Sequence, residues 1–344
     1  MHMADALISP AVGGTMWAAT AGLIAYSSKM VAKDLDSQRV PLMGVLGAFI
    51  FAAQMINFTI PGTGSSGHLG GGMILAILLG PYAAFLTMAS VLTVQALFFA
   101  DGGLLALGCN IFNLGFFSCF LAYPLLYKKI VGSAPTPQRI VIGSLIAAIL
   151  GLQVGAFSVV LETLFSGITA LPLGTFVLLM QPIHLAIGLV EGFVTAAVVI
   201  FVWRARPEIL CSAAERRPAG MYSLRPVLLG LAGAAAVTGA ALSWFASANP
   251  DGLEWSMFRA AGTEELTSPS NSVHHSLATI QDKTAFLPDY TFKTRDAEDA
   301  AEAEPSWPTV DPGTSVSGLV GGALTLVVAV LIGLAAKRRK GTEA

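Results

Sequence analysis

The sequence has unusually little charge. Only 12% of its 344 residues are Asp, Glu, Lys or Arg, whereas a soluble domain usually has about 25%. Hydrophobic residues make up 54% of the chain, and the formal net charge is −2. This composition is typical of a polytopic membrane protein surrounded by lipid, and without a basic excess it argues against nucleic acid as a partner.

Cysteine and nucleotide-binding motifs are also scarce or missing. The three cysteines are Cys109, Cys119 and Cys211, and none has CxxC spacing, so we interpret them as small apolar residues rather than as a disulfide or zinc set. No Walker A motif, GxSxG or HExxH occurs in the sequence. We therefore expect no enzyme activity, and any ATP-driven motor would lie on another chain.

Long apolar runs predict an all-α polytopic membrane protein. A membrane-spanning helix needs about 20 mostly apolar residues. One run, His68–Leu79, is too short to span the membrane alone and begins among glycines, which makes it a candidate binding element. The predicted helices are Ala11–Met30, Val40–Ile60, His68–Leu79, Tyr82–Ala100, Leu104–Tyr127, Ile140–Phe165, Pro182–Arg204, Pro226–Ala246 and Val316–Ala336.

The distribution of Lys and Arg predicts the orientation. With the N-terminus outside and the C-terminus inside, the positive-inside rule is satisfied by nearly every basic residue of the membrane region. The segment Met1–Pro10 has no Lys or Arg, so we expect no cleaved signal peptide. The predicted inner segments are Lys29–Arg39, Gly80-Pro81, Lys128–Arg139, Arg204–Arg225 and Lys337–Lys340.

The chain divides at a polar segment rich in Arg and Pro. We predict a seven-helix membrane domain over residues 1–205, a cytoplasmic linker over 206–225 and a two-helix module over 226–344. The module includes an extracytoplasmic loop, residues 247–315. Between residues 249 and 314 this loop has twelve acidic and four basic residues. Such a surface could concentrate cations, although we favour the plainer interpretation of a solvated loop kept outside by translocation.

The residue in second position is a histidine. The amine of Met1, the backbone nitrogen of His2 and the His2 imidazole can chelate one metal ion through adjacent small rings, and His68 could supply a fourth nitrogen. Four nitrogens in a plane suit Ni²⁺ or Cu²⁺, and imidazole also suits cobalt. Each donor must lose its proton, so binding should weaken as the pH falls. Taken singly, each histidine is better interpreted plainly, His2 as an exposed terminal residue and His68 as a polar residue at a helix start. Their placement on the same side and the glycines around His68 favour a shared site.

Other polar residues could support or supplement this site. His184 and Glu191 are seven residues apart and share a helix face, which fits a proton relay or, as we favour, packing and substrate lining. His274 and His275 could capture a metal in the loop during loading. Residues that could hold the metal ligands by hydrogen bonds are Gln54, Asn57, Ser65 and Ser66.

Three stretches of the sequence resemble the CbiM/NikM family. They are Met1–Pro10 (MHMADALISP), Val45–Asn57 (VLGAFIFAAQMIN) and the His-Leu-Gly-Gly segment at His68, and the resemblance covers about residues 1–205. Asn249–Trp255 (NPDGLEW) resembles the PDGLE segment of CbiN/NikN proteins. The chain is thus similar to a fused, NikMN-like protein, with Gly67 where the family often has Val.

The resemblance implies the substrate-binding S component of an energy-coupling factor (ECF) importer in a prokaryotic inner membrane. It implies a metal held by Met1, His2 and His68, a transmembrane T component (CbiQ/NikQ-like) and ABC ATPases (CbiO/NikO-like). The resemblance implies no permanent cofactor, only Ni²⁺ or Co²⁺ as the transported ion. The fusion of the two proteins in one chain and a planar nitrogen site favour nickel, and cobalt remains the second choice. The alternatives are a self-sufficient secondary cation transporter and an S component for an organic vitamin.

Overall fold

The computed structural model describes residues 2–34, 39–169, 171–215, 223–262, 272–293 and 307–342. Helices dominate it, and the only sheet in these ranges is an antiparallel pair, β1 (Phe58–Ile60) and β2 (Ser65–Gly67). The all-α prediction is therefore confirmed apart from one small hairpin. This hairpin leads directly into the segment that carries His68.

Thirteen α-helices are numbered here in chain order. Residues Leu107 to Val131 form one continuous helix made of α5, a π-helical stretch (Phe112–Tyr127) and α6. The bounds are α1 Pro10–Asp34, α2 Arg39–Gln54, α3 Gly72–Leu79, α4 Pro81–Phe98, α5 Leu107–Ile111, α6 Lys128–Val131, α7 Pro137–Ser166, α8 Leu173–Ala205, α9 Pro207–Glu215, α10 Arg225–Ala240, α11 Gly252–Ala261, α12 Ser272–Thr284 and α13 Pro312–Thr342.

Five helices in the described ranges are long and apolar enough to cross a membrane, namely α4, the Leu107–Val131 helix, α7, α8 and α13. The helices α2 and α10 are apolar but shorter. Large apolar side chains point outward along these helices, such as Phe165, Leu178, Leu229 and Leu331, each more than half exposed. Apolar surface of this extent suits contact with lipid rather than water. The chain is an integral membrane protein.

The helices of the C-terminal part pack against the N-terminal part. Both α10 and α13 contact α2, and α10 crosses α13 where Gly239 faces Gly318. A Cβ on Gly318 would lie 2.3 Å from the Gly239 carbonyl oxygen, so the backbones meet without side chains between them. Close approach over small residues is how helices associate in lipid, where the hydrophobic effect does not drive them together.

Several predicted helix boundaries are wrong, most clearly those at Ile60 and at Pro182. The predicted span Val40–Ile60 ends as a helix at Gln54, because its last residues form β1 of the hairpin. The predicted start at Pro182 is also wrong, since α8 begins at Leu173 and runs through the proline. Nearby, Gln153 of α7 donates to the Gln181 carbonyl at 2.8 Å, a bond between helices that supports the backbone beside Pro182.

The two predicted connecting segments contain more structure than expected. The predicted linker 206–225 includes the helix α9, whose Ser212 carbonyl accepts a hydrogen bond of 2.7 Å from Arg39 at the start of α2. The predicted loop 247–315 includes α11 and α12. Asp251 caps the N-terminus of α11 through a capping box. Its carboxylate accepts the backbone N–H groups of Leu253 and Glu254, and the Glu254 carboxylate accepts the backbone N–H of Asp251.

Candidate metal centre

The first residues of the chain fold into the helix bundle. The side chain of Met3 is fully buried. Its backbone N–H donates to Asn110 Oδ1 at 2.8 Å, and its carbonyl accepts from Asn110 Nδ2 at 3.2 Å and from the Gly103 N–H at 2.9 Å. A side-chain amide that pairs with both backbone groups of one residue acts like a strand partner. The terminal segment is thereby held beside the turn before α5.

The Asp-Gly-Gly turn at residues 101–103 is shaped to receive this segment. The Asp5 carboxylate accepts a hydrogen bond from the Ala106 N–H at 3.0 Å. A Cβ on Gly103 would lie 2.4 Å from the Asp5 backbone nitrogen, so no other residue fits there. Gly102 adopts a φ of 81°, which favours glycine. The glycines let the terminal backbone approach this turn closely.

The structure brings His2 and His68 together. Their imidazole rings are stacked, with centroids 5.0 Å apart and an interplanar angle of 11°. The His2 side chain is 7% exposed, and His68 is half-buried. Met1 lies outside the described residues, so its predicted part in the site stays a prediction. Two histidines separated by 66 positions in the sequence are thus neighbours in space.

Hydrogen bonds indicate which nitrogens of the two rings carry lone pairs. His2 Nδ1 lies 3.0 Å from Asp101 Oδ1, and the Tyr290 hydroxyl donates to the other carboxylate oxygen. His68 Nδ1 lies 3.1 Å from the Leu69 carbonyl oxygen. Both partners are acceptors only, so each Nδ1 donates, and a neutral ring then has its lone pair on Nε2. His2 Nε2 is buried without a partner among the described residues.

Burial and neighbouring charges set the protonation of His68 and Asp101. Burial, followed by the positive charge of neighbours including His2, lowers the pKa of His68 to about 3, so this imidazole is neutral near pH 7. Burial by itself would raise the pKa of Asp101. The charge and hydrogen bond of His2, and then the Tyr290 hydroxyl, outweigh burial and hold that pKa well below its usual value. A neutral imidazole thus lies near an ionised carboxylate.

The segment after His68 is held by a carboxylate on α8. Glu191 accepts hydrogen bonds from the backbone N–H groups of Gly70, at 2.8 Å, and Gly71, at 3.1 Å. Gln54 donates to the Gly70 carbonyl at 2.9 Å and accepts from Gln95 at 2.8 Å. Glu191 therefore positions the loop, which agrees with the packing role that we favoured over a proton relay.

Glycines on both sides of His68 permit its close packing. A Cβ on Gly67 would lie 2.4 Å from Ile187 Cγ1, so the bulkier residue that the family often has at this position would clash with Ile187. Gly71 has a φ of 77°, and a Cβ there would lie 2.7 Å from Ile50. The α3 helix begins at Gly72, after His68, because the preceding backbone takes up these turns.

Of the other proposed supporting residues, Asn57 and Ser66 bond to the C-terminal module, and Ser65 bonds to Ser66. The Asn57 carbonyl accepts from the Ser247 N–H at 2.7 Å. Ser66 donates its backbone N–H to the Pro250 carbonyl at 2.8 Å, and the Ser65 hydroxyl donates to the Ser66 carbonyl at 3.1 Å. The fourth predicted residue, Gln54, does reach the segment that follows His68, through its hydrogen bond to the Gly70 carbonyl.

The two loop histidines occupy different environments on α12. His274 is buried, and its Nε2 lies 3.1 Å from the Asp5 carbonyl oxygen and 3.0 Å from that of Ile8. His275 is exposed. His274 thus fastens the C-terminal module onto the terminal segment.

Side chains alone do not complete a metal site here. Within the part of the chain that the structure describes, no group of three or more His, Cys, Asp or Glu side chains is close enough to hold an ion. An ion at His2 and His68 therefore needs further donors, and backbone nitrogen is one kind that could supply them. Two imidazoles with added nitrogens suit Ni²⁺ or Co²⁺ better than Mg²⁺ or Ca²⁺.

Sequence reasoning missed three residues that shape the centre, namely Asp101, Asn110 and Tyr290. Asp101 lies between two of the predicted helices and Asn110 lies within one, and neither was among the candidate site residues. An Asp followed by two glycines was a usable signal, because such a turn lets the backbone of another segment approach a carboxylate closely. Tyr290 lies 189 positions away from Asp101 and gave no local signal.

Comparisons with known proteins agree with this architecture. The family model "Cobalt uptake substrate-specific transmembrane region" matches residues 2–209, and the PDGLE domain model matches residues 225–338. A putative fused nickel transport protein NikMN of Archaeoglobus fulgidus is 32% identical over 337 residues, covering 95% of this chain and 96% of that protein.

Two further comparisons each cover about three fifths of the chain. The fused nickel transport protein NikMN of Rhodobacter capsulatus is 35% identical over 231 residues, covering 64% of this chain and 66% of that protein. A crystal structure of a truncated transition metal transporter is 30% identical with a TM-score of 0.53, covering 60% of this chain and 99% of that one. The chain belongs to the cobalt-uptake substrate-specific transmembrane family, with a PDGLE domain following in the same polypeptide.

Proposed function

We propose that this protein is the metal-binding S component of an ECF-type importer for Ni²⁺ or Co²⁺. The ion is held by four nitrogens: the Met1 amine, the His2 backbone nitrogen, the His2 imidazole and the His68 imidazole. The observation that supports this most is the stacking of His2 on His68 at 5.0 Å inside the bundle. The relatives named as nickel transport proteins support the choice of cargo.

Chelate geometry determines which His2 nitrogen binds the ion. Only Nδ1 closes a six-membered ring with the backbone nitrogen of the same residue, and in the structure Nδ1 lies 3.0 Å from Asp101 Oδ1. When the ion binds, His2 Nδ1 gives up its hydrogen bond to Asp101 and bonds to the metal instead. The ring then reorients, or its proton moves to Nε2. The proposal requires a free amine at Met1.

The proposed assembly includes other chains. The sequence has no nucleotide-binding motif, so we assign ATP hydrolysis to partner ATPases that act through a T component. Residues 1–205 form the metal-binding domain of seven membrane segments, with the N-terminus outside and the C-terminus inside. The module 226–344 assists loading from the outer side, through the contact of His274 with the terminal segment.

Reconstitution in proteoliposomes tests this function. The chain alone should bind Ni²⁺ but should not accumulate it, whereas addition of the T component, the ATPases and ATP should produce uptake. Accumulation by the chain alone, driven by an ion gradient, would indicate a secondary transporter instead. A vitamin would not fit the cavity beside His68, whose volume of about 10 Å³ is about enough for one water molecule.

Replacement of Glu191 by Gln should weaken metal binding. The carboxylate accepts two backbone hydrogen bonds that shape the loop after His68, and a neutral amide accepts less strongly. Residues that orient metal ligands typically affect affinity 10–100-fold, so we expect a loss of about tenfold by calorimetric titration with Ni²⁺. The matched control is Glu208→Gln on α9, and an equal loss there would contradict the assigned role.

A further inference from the structure

A second polar position lies beside the proposed metal centre. It is a cavity of about 10 Å³ between α8, the His68 segment and the start of α11, which is room for about one water-sized group. Its walls come from both parts of the chain. They are formed by Gly67, His68, Gly70, Leu114, Leu152, His184, Ile187, Asp251 and Gly252.

His184 presents a nitrogen without a partner to this region. The side chain is 1% exposed, and Nδ1 donates to the Met180 carbonyl at 2.8 Å. The lone pair of the neutral ring is therefore on Nε2, which has no hydrogen-bond partner among the described residues. Buried polar atoms are rarely left unpaired, so this nitrogen indicates a bound water or ligand.

A carboxylate from the C-terminal module also lines the cavity. Asp251 Oδ1 accepts the N–H groups of Leu253 and Glu254, both at 2.8 Å, which orients the side chain at the start of α11. The next residue, Gly252, packs so closely that a Cβ would lie 3.3 Å from His184 Cε1. The Pro250 carbonyl is fixed to β2 by the Ser66 N–H at 2.8 Å. The module thus brings an acid to an imidazole across one cavity.

We propose that this cavity is a transit position for the transported divalent cation. The ion, still carrying water, contacts His184 Nε2 and the Asp251 carboxylate before it reaches His2 and His68. Imidazole and carboxylate together suit Ni²⁺ and Co²⁺. This inference rests on the proposed function, which it extends to the route of the ion.

The position is built to bind weakly. Within the described residues no three such side chains are close enough to enclose an ion, so water completes its coordination. A site on a transport route must attract the ion and also release it. Loss of a contact at this intermediate position should raise the free-energy barriers that the ion crosses both on its way to the final site and on its way back. Loading and release should then slow by the same factor, while the equilibrium affinity of the final site stays the same.

Rapid-mixing kinetics with Ni²⁺ alone on the full-length protein tests the proposal. For His184→Ala we expect the association rate and the chelator-induced dissociation rate both to fall about tenfold, with Kd unchanged within twofold. Asp251→Asn should behave similarly, since Asn keeps the helix cap but removes the charge. The control is Gln153→Ala, a polar residue of α7 that does not line the cavity.

Two results would overturn the proposal. One is a pair of unchanged rates in both cavity variants. The other is a weaker Kd with an unchanged association rate, which would make His184 a ligand or support of the final site. If His184→Ala does not fold, the association and dissociation rates of His184→Gln and Asp251→Asn test the proposal in the same way. Absence of Ni²⁺ binding by the unmodified protein would instead contradict the proposed function itself.

Discussion

Nickel affinity should fall at least about a hundredfold, or about 2.7 kcal/mol, when the residues Ala-Ser are added before Met1. The addition turns the amine that we assign as a ligand into an amide within the chain. It also displaces the terminus from the space beside His2, whose side chain is 7% exposed. Isothermal titration of the purified protein with Ni²⁺, and separately with Co²⁺, measures the change.

The length of this extension matters for its interpretation. One added residue would place His2 third in the chain, where an amine, two amides and one imidazole can themselves surround a nickel ion. Two added residues avoid that artefact. The matched control carries Ala-Ser after Ala344 and should bind as the unmodified protein does. Full affinity in the N-terminally extended protein would rule out the amine as a ligand.

Replacement of His68 by Ala should cause a similar loss, about a hundredfold or more. His68 is the imidazole nearest His2, with ring centroids 5.0 Å apart, and its lowered pKa of about 3 keeps it neutral and able to bind a metal at pH 7. Its removal leaves a three-nitrogen chelate open to water. The absorption of the Ni²⁺ complex should change together with Kd, because the planar four-nitrogen set is lost.

His275→Ala is the matched control for this variant. His275 is exposed on α12, so loss of its imidazole should leave Kd unchanged. Thermal unfolding should show that His68→Ala still folds, since its position lies in a loop rather than in a helix. Intact binding in His68→Ala, combined with abolished binding in His184→Ala, would show that the ion rests in the second cavity instead.

Much of the framework could be predicted from local sequence. The apolar runs located the helices, because a lipid environment requires long, continuous, internally hydrogen-bonded segments. The glycines around His68 marked a close approach of backbones, and the second-position histidine is the basis of the chelate that we propose. Predictions were wrong where a local signal was overridden, as at Pro182, where α8 continues with support from Gln153.

Interactions between distant residues could not be predicted in this way. Nothing near Asp101 indicates that Tyr290 donates to its carboxylate, or that His2 contacts the other oxygen. Nor does the sequence near Glu191 show that this side chain holds the backbone of Gly70. Each pairing depends on helix packing, which brings together groups that lie about a hundred or more positions apart.

The sequence by itself determined the membrane class of this protein, its helical architecture and the kinds of donor atom available for a metal. These follow from composition and short-range pattern, which act through local hydrogen bonding and hydrophobicity. Only the tertiary structure decided that His2 stacks on His68, that Asp101 contacts His2 Nδ1, and that the C-terminal module reaches this region through His274 and Asp251. Those contacts are set by how the helices pack, because packing determines which polar groups share one buried space.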